Sequence, residues 1–172
     1  MRDVTLCLII KQETISSIIL GMKKRGFGEG KFNGFGGKVD PGESIEHGAA
    51  REVLEETEND PSEKNIQKLM KELEKVGVID FHFHDVPQEE GWNQTVHVFV
   101  IRNFEFEVKE SEEMAPKVFS FDQIPYDQMW KDDVYWLPAV LKGMFVRAAF
   151  VFDKKGDEII DFSIYARDRE RR

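Results

Sequence analysis

GGKVDPGESIEHGAAREVLEETE, residues 36–58, places Gly37, Glu43, the pair Arg51-Glu52 and the pair Glu55-Glu56 in the pattern Gly-x5-Glu-x7-Arg-Glu-x2-Glu-Glu. Pro41-Gly42 turns the chain, and the hydroxyl of Ser44 suits a helix N-cap. A helix over 44–58 then sets Glu52 and Glu56 one turn apart, with Glu55 three residues from Glu52 on the same face. Like charges at these spacings repel by roughly 0.2–0.5 kcal/mol per pair. A solvated face interleaves lysines with its glutamates, whereas 43–58 offers one arginine against Glu43, Glu46, Glu52, Glu55, Glu56 and Glu58. A hard divalent cation is the natural compensation for such a stripe.

Directly ahead lies KKRGFGEGKFNGFGGK, residues 23–38, a basic loop with glycines at 26, 28, 30, 34, 36 and 37 whose backbone can come close to a ligand. Upstream of it, β-rich runs at 3–10 and 15–21 flank KQET and predict a hairpin. Downstream, Ile66, Leu69, Met70 and Leu73 recur at helical spacing between Ser62 and Gly77. Strands are expected at 78–84, 95–105 and 117–121, a helix at 132–144 that Pro138 kinks or restarts, and a closing hairpin at 147–152 and 158–164. The tail ARDRERR, 166–172, reads as frayed and solvated.

The 172 residues, 41% of them hydrophobic, suit a single domain over 1–172 with a proper core. A formal net charge of −9 argues against a sequence-independent grip on nucleic-acid polymers. It leaves room for a small anionic substrate neutralised by a metal and the basic loop. The lone Cys7 cannot form an internal disulfide, which suits a reducing compartment, and no stretch approaches a membrane span. A monomer in the cytoplasm, with nucleus or mitochondrion as alternatives, is the expectation.

The glycine and carboxylate pattern matches the signature of the Nudix hydrolases, which cleave nucleoside diphosphates linked to another moiety. The run GMKKRGFGEGKFNGFGGKV at 21–39, DFHF at 80–83, ESEEM at 110–114 and MWKDDVYW at 129–136 extend the resemblance over residues 3–165 to the mammalian-type MutT homologues, the oxidised purine nucleoside triphosphatases of that family. The resemblance implies an α/β/α sandwich with a mixed sheet between the glutamate helix and the later helix. It implies metal binding by Glu52, Glu55 and Glu56, with Glu113 and a backbone oxygen near Gly36 or Gly37 as further ligands. Glu43 and Arg51 tie the loop to the helix. Magnesium, or manganese in its place, screens the triphosphate and activates water. Glu55, Glu56 and Glu113 all qualify as the general base, and Lys23 as a phosphate or pocket contact.

By the same resemblance Phe27, Phe81, Phe83, Met114 and Trp130 line a base pocket, with Thr5 and Asn33 as its polar groups. Periodicity alone would place Phe81 and Phe83 in the core. Asp132 and Asp133 have two readings: an N-terminal helix cap, or a pair sharing a proton that reads the purine edge. The implied reaction is hydrolysis of oxidised guanine and adenine nucleoside triphosphates to monophosphate and pyrophosphate. Another nucleotide substrate, such as a methylated triphosphate or a dinucleoside polyphosphate, and a non-catalytic nucleotide- or RNA-binding module are the alternatives. One departure stands out: Thr57-Glu58-Asn59 replaces the family's x-Gly-apolar, so the helix is expected either to run on or to end on Asn59.

Overall fold

Along strand β1 (Arg2–Lys11) successive side chains enter two different cores, Leu8 and Ile10 on one face and Cys7 and Ile9 on the other. A strand that is apolar on both faces lies inside a sandwich. The computed structural model, which describes residues 1–170, bears this out. β1 is followed by β2 (Ser17–Lys23), β3 (Phe32–Asn33), α1 (Ile45–Glu56), α2 (Glu63–Met70), β4 (Glu74–Phe83), β5 (Gln94–Ile101), β6 (Met114–Ser120), α3 (Asp133–Leu141), β7 (Met144–Phe152) and β8 (Ile159–Asp168). The strands form one mixed eight-stranded sheet in the order β3-β2-β1-β5-β4-β7-β8, with β6 paired to β2. The β1–β5 and β4–β7 pairs are parallel and the rest antiparallel.

Ala49, Ala50, Val53 and Leu54 of α1 and Ile66 and Leu69 of α2 cover one face, while Trp136, Leu137 and Val140 of α3 cover the other. The sheet parts where the site forms. β1 and β2 pair only over Ile9–Lys11 and Ser17–Ile19. Beyond that point β2 turns to β3, and the glycine-rich segment closes on β1 through the bridges Cys7–Phe35 and Val4–Lys38.

Three expectations are corrected. The glutamate helix stops at Glu56, and Glu58 (φ 58°), not Asn59, adopts the left-handed conformation. The Glu58 N–H reaches Glu55 O (3.2 Å) and the Asn59 N–H reaches Leu54 O (2.8 Å), the double bond of a Schellman end. Asn59 adds bonds from its side-chain amide to Thr57 and to Glu107 O, which fasten the exit without the usual glycine. The tail is ordered further than expected. Ala166–Asp168 continue β8 against Met144–Val146, because Ile164 and Ala166 still pack on the core; residues 171–172 lie outside the described residues. Pro138 is accommodated within α3, which runs unbroken to Leu141.

Candidate active site

Two glycines let the loop and the glutamate helix meet. A Cβ on Gly36 would sit 2.0 Å from Thr5 O, and one on Gly37 would sit 2.5 Å from the Glu52 carboxyl carbon. Any side chain there would push the loop off β1 or displace the carboxylate. The segment is latched instead: Thr5 N–H donates to Gly37 O (2.8 Å), the Thr5 hydroxyl lies 3.3 Å from the same oxygen, and Gly36 N–H donates to Glu56 Oε2 (2.9 Å). Thr5 is thus engaged by the loop. Gly37's carbonyl is spent on Thr5, which leaves Gly36's as the candidate backbone ligand.

Behind the loop, Arg51 organises the carboxylates. Its Nε and Nη2 donate to Glu43 (3.2 and 2.6 Å), its Nη1 to Glu52 (2.9 Å) and Glu55 (3.3 Å), and Nη2 also to Lys38 O (3.1 Å). Glu43 further accepts from Asp40 N–H and His47 Nδ1, and the Arg51 guanidinium holds its pKa down to about 2. Glu56 behaves differently: it is 5% exposed, and burial pushes it up to about 7 despite the Gly36 N–H and Lys23 Nζ at 3.7 Å. Burial also raises Glu52. Lys23 bonds Glu113 at 2.9 Å and lowers that carboxyl.

Glu55 is the one predicted carboxylate that does not line the cleft. Three residues advance a helix by about 300°, so Glu55 points some 60° away from Glu52, and its half-exposed side chain rests on Arg51 at the rim. Glu52, Glu56 and Glu113 do line it. Their oxygens, with the Gly36 carbonyl, have the hard-donor chemistry that magnesium or manganese takes. As placed, no three acidic, histidine or cysteine side chains among the described residues converge on one point. Binding an ion there requires the carboxylates to turn from Lys23 and Arg51.

The cleft, about 670 Å³, runs from these carboxylates to an aromatic chamber, a size suited to a nucleotide. Phe27, from the glycine loop, stacks on Trp130 (5.0 Å, 27°), and Lys31 Nζ lies 5.3 Å from the Trp130 ring centre. Phe81 and Phe83 do face the core, as periodicity suggests, but they also line the cleft, stacked on Phe150 and Phe152. Met114 is buried in its wall, and Asn33 lines it with Oδ1 fixed by Gly34 N–H (2.9 Å).

Asp132 and Asp133 line the same chamber and are 2% and 3% exposed. Among the described residues neither side chain caps α3: Asp132 is the N-cap residue but makes no capping bond, and its Oδ2 accepts from Trp136 Nε1 at 2.8 Å. Asp133 Oδ2 is buried with no partner among the described residues. Burial raises both carboxyls, and the Asp132 charge raises Asp133 further. Since the Trp136 N–H stabilises an ionised Asp132, Asp133 is the one that keeps the proton.

Trp136 and Phe152 line the cleft, and Trp92 packs behind its aromatic wall, without having been singled out from sequence. Trp136 is four residues after Asp132, helical spacing that signals contact. Trp92 packs edge-on to Phe27 and Phe83, both at 5.4 Å, from a loop with no such periodic signal.

Comparison with known proteins adds three findings. A NUDIX domain model matches residues 1–140. The oxidized purine nucleoside triphosphate hydrolase of Danio rerio is 42% identical over 156 residues, 91% of this chain and 88% of the relative, and that of Mus musculus is 41% identical over 163 residues, 95% and 94%. Among solved structures, a MutT protein from Bacillus halodurans superposes with TM-score 0.73 at 21% identity, over 95% of this chain and 97% of its own. A bifunctional NMN adenylyltransferase/ADP ribose pyrophosphatase from Francisella tularensis, complexed with AMP and a Mn ion, superposes with TM-score 0.60 at 17% identity, over 82% of this chain and 41% of its own.

Proposed function

The chain belongs to the NUDIX family, and from that premise we propose that it hydrolyses oxidised purine nucleoside triphosphates to the monophosphate and pyrophosphate. The observation that carries this reading is the continuity of one cleft. It joins the carboxylates of Glu52, Glu56 and Glu113 beside a basic loop to an aromatic chamber holding Asp133 Oδ2, an oxygen without a partner among the described residues. The reading gains weight from relatives named as oxidized purine nucleoside triphosphate hydrolases that align with more than nine-tenths of the chain.

Glu52, Glu113 and the Gly36 carbonyl would hold a divalent cation, magnesium first and manganese as an alternative, with Glu55 at the rim. Such an ion supplies charge neutralisation for the phosphates and favours deprotonation of water. Glu56, whose pKa lies near 7, has the basicity to take a proton from the attacking water at neutral pH. The water oxygen forms a new P–O bond at one phosphorus as that atom's bond to the oxygen bridging the α and β phosphorus atoms breaks, the bridging oxygen leaves with the other phosphate group, and the Lys23 ammonium offsets the charge that develops. Glu43 and Arg51 keep Glu52 in register and do not take part in the chemistry.

In the chamber the base stacks against aromatic faces, an interaction of roughly 1–3 kcal/mol per base. The protonated Asp133 donates and the ionised Asp132 accepts, so the pair matches a purine edge whose oxidation has changed its donor and acceptor pattern. Shifting the shared proton lets one pocket serve both oxidised guanine and oxidised adenine.

The test is a panel of oxidised, methylated and ordinary nucleoside triphosphates incubated with magnesium and the wild-type protein or its Glu56→Gln variant. Monophosphate with pyrophosphate from the oxidised purines is expected, with the rate falling about 10²–10⁴-fold in the variant, the range for a lost general base. Orthophosphate as product, preference for ordinary nucleotides, or no turnover would sink the reading.

A further inference from the structure

The cleft floor carries one polar group that the reaction just described leaves without a role. Three central strands supply most of that floor: Val4 and Leu6 from β1, Val96 from β5, and Ile79, Phe81 and Phe83 from β4. On β5 the residues that share this face are Gln94, Val96, Val98 and Val100, and the three valines belong to the core on that side of the sheet. Gln94 breaks the run. It is half-buried and lines the cleft with a neutral amide where every other central-strand residue named is apolar.

Its register says which part of a nucleotide it can meet. Gln94 pairs with Arg2 on β1 and with Phe81 on β4. Thr5, which latches the loop carrying Gly36 and so fixes Glu56, is three residues further along β1, a distance of about 10 Å at the rise of a strand. Gln94 is therefore remote from the carboxylates and lies beside Phe81, in the chamber that takes the base. An uncharged amide has no advantage at a phosphate, but it offers one donor and one acceptor side by side. A glutamine amide can engage the adjacent donor and acceptor of a purine edge with two hydrogen bonds. Unlike the aspartate pair, its hydrogen-bonding pattern is fixed and does not shift with pH.

We propose that Gln94 is a specificity-determining residue whose side-chain amide hydrogen-bonds the substrate's purine base and biases the choice among oxidised purines. The proposal rests on the oxidised-purine reading above, and its test can fail separately from that reading. Gln94→Met keeps side-chain length and removes the amide. The quantity to measure is the ratio of kcat/KM for 8-oxo-dGTP to that for 2-hydroxy-dATP. A shift of about fivefold to a hundredfold in this ratio is expected, the range for loss of a bidentate base contact, with pyrophosphate still released. An unchanged ratio, or an equal loss on every triphosphate, would overturn the assignment and mark Gln94 as structural.

Binding of 8-oxo-dGMP and 2-hydroxy-dAMP, followed by tryptophan fluorescence, provides the same ratio without turnover. If wild-type protein hydrolyses neither triphosphate, the functional reading fails, and the ratio of monophosphate affinities still decides the role of Gln94. Should Gln94→Met not fold, Gln94→Asn retains the amide but shortens its reach by one methylene. The ratio must then move in that variant too, and an unmoved ratio counts against the proposal.

Discussion

At the carboxylate end of the cleft Glu43, Glu52, Glu56 and Glu113 each have a cation or an N–H donor within reach; at the aromatic end Asp133 Oδ2 has none among the described residues. Both ends concentrate acidic groups, yet they treat the charge oppositely. At the first end Arg51 holds Glu43 and Lys23 holds Glu113 in the ionised form, and the same cations temper the rise that burial gives Glu52 and Glu56, an arrangement suited to a metal and a proton transfer. Burial without a counter-ion keeps a proton in the second, so that it can serve as a hydrogen-bond pattern. Glu56 sits between the two regimes, with a cation nearby but buried enough for its pKa to reach about 7.

The sharpest way to break this contrast is to titrate stability in metal-free protein. Glu56 has a folded pKa of about 7 against an ordinary 4.5, so the folded state binds the proton more tightly than the unfolded one. Its stabilising contribution is complete below pH 4.5 and is lost as pH rises through 7. A shift of that size corresponds to roughly 3 kcal/mol. Asp132 and Asp133, also raised, act in the same direction. Urea denaturation in EDTA should therefore show stability falling between pH 5 and pH 8, with a shallower fall in Glu56→Gln. A rising or flat profile would mean that the carboxylate end is better compensated than its geometry indicates.

Arg51→Met removes the guanidinium that Glu43, Glu52 and Glu55 share, and a lost hydrogen bond to a charged partner costs about 1.5–3 kcal/mol. Stability should drop by about that amount at pH 7 and by less at pH 4, where Glu52, raised by burial, takes up a proton while Glu43 keeps its charge. The smallest effect belongs to the helix end. Glu58→Gly relieves a left-handed non-glycine residue and should gain about 0.5–1 kcal/mol without altering turnover, measured by denaturation and by kcat.

These regions also differ in how far the sequence reveals them. The glutamate helix announces itself, because the role proposed for it depends on residues close together in the chain and one turn of helix puts them on one face. Even there, Glu55 drifts to the rim, since a spacing of three is not a full turn. The aromatic chamber draws Phe27, Phe83, Trp130 and Phe152 from four separate segments, and residue spacing does not show that they meet; most of it became legible only by resemblance. Trp92 and Gln94 had no local signal at all, because a half-buried loop tryptophan and a strand-end glutamine are ordinary in isolation. The left-handed turn falls on Glu58 because the cap is Thr57: Asn59 stands one residue later, where its N–H closes on Leu54 O and its side-chain amide bonds Thr57 and Glu107.

The two ends divide the labour we propose: one end of the cleft cuts and the other reads. This division is tested most directly by the kcat/KM ratio of 8-oxo-dGTP to dGTP in Asp133→Leu, with the products identified. A leucine keeps the bulk of the side chain but has no proton to donate, so the ratio should fall by about fivefold to a hundredfold, the cost of roughly 1–3 kcal/mol for a misread base, while monophosphate and pyrophosphate remain the products. A ratio equal to that of the wild-type protein would contradict the division of labour proposed for the two ends.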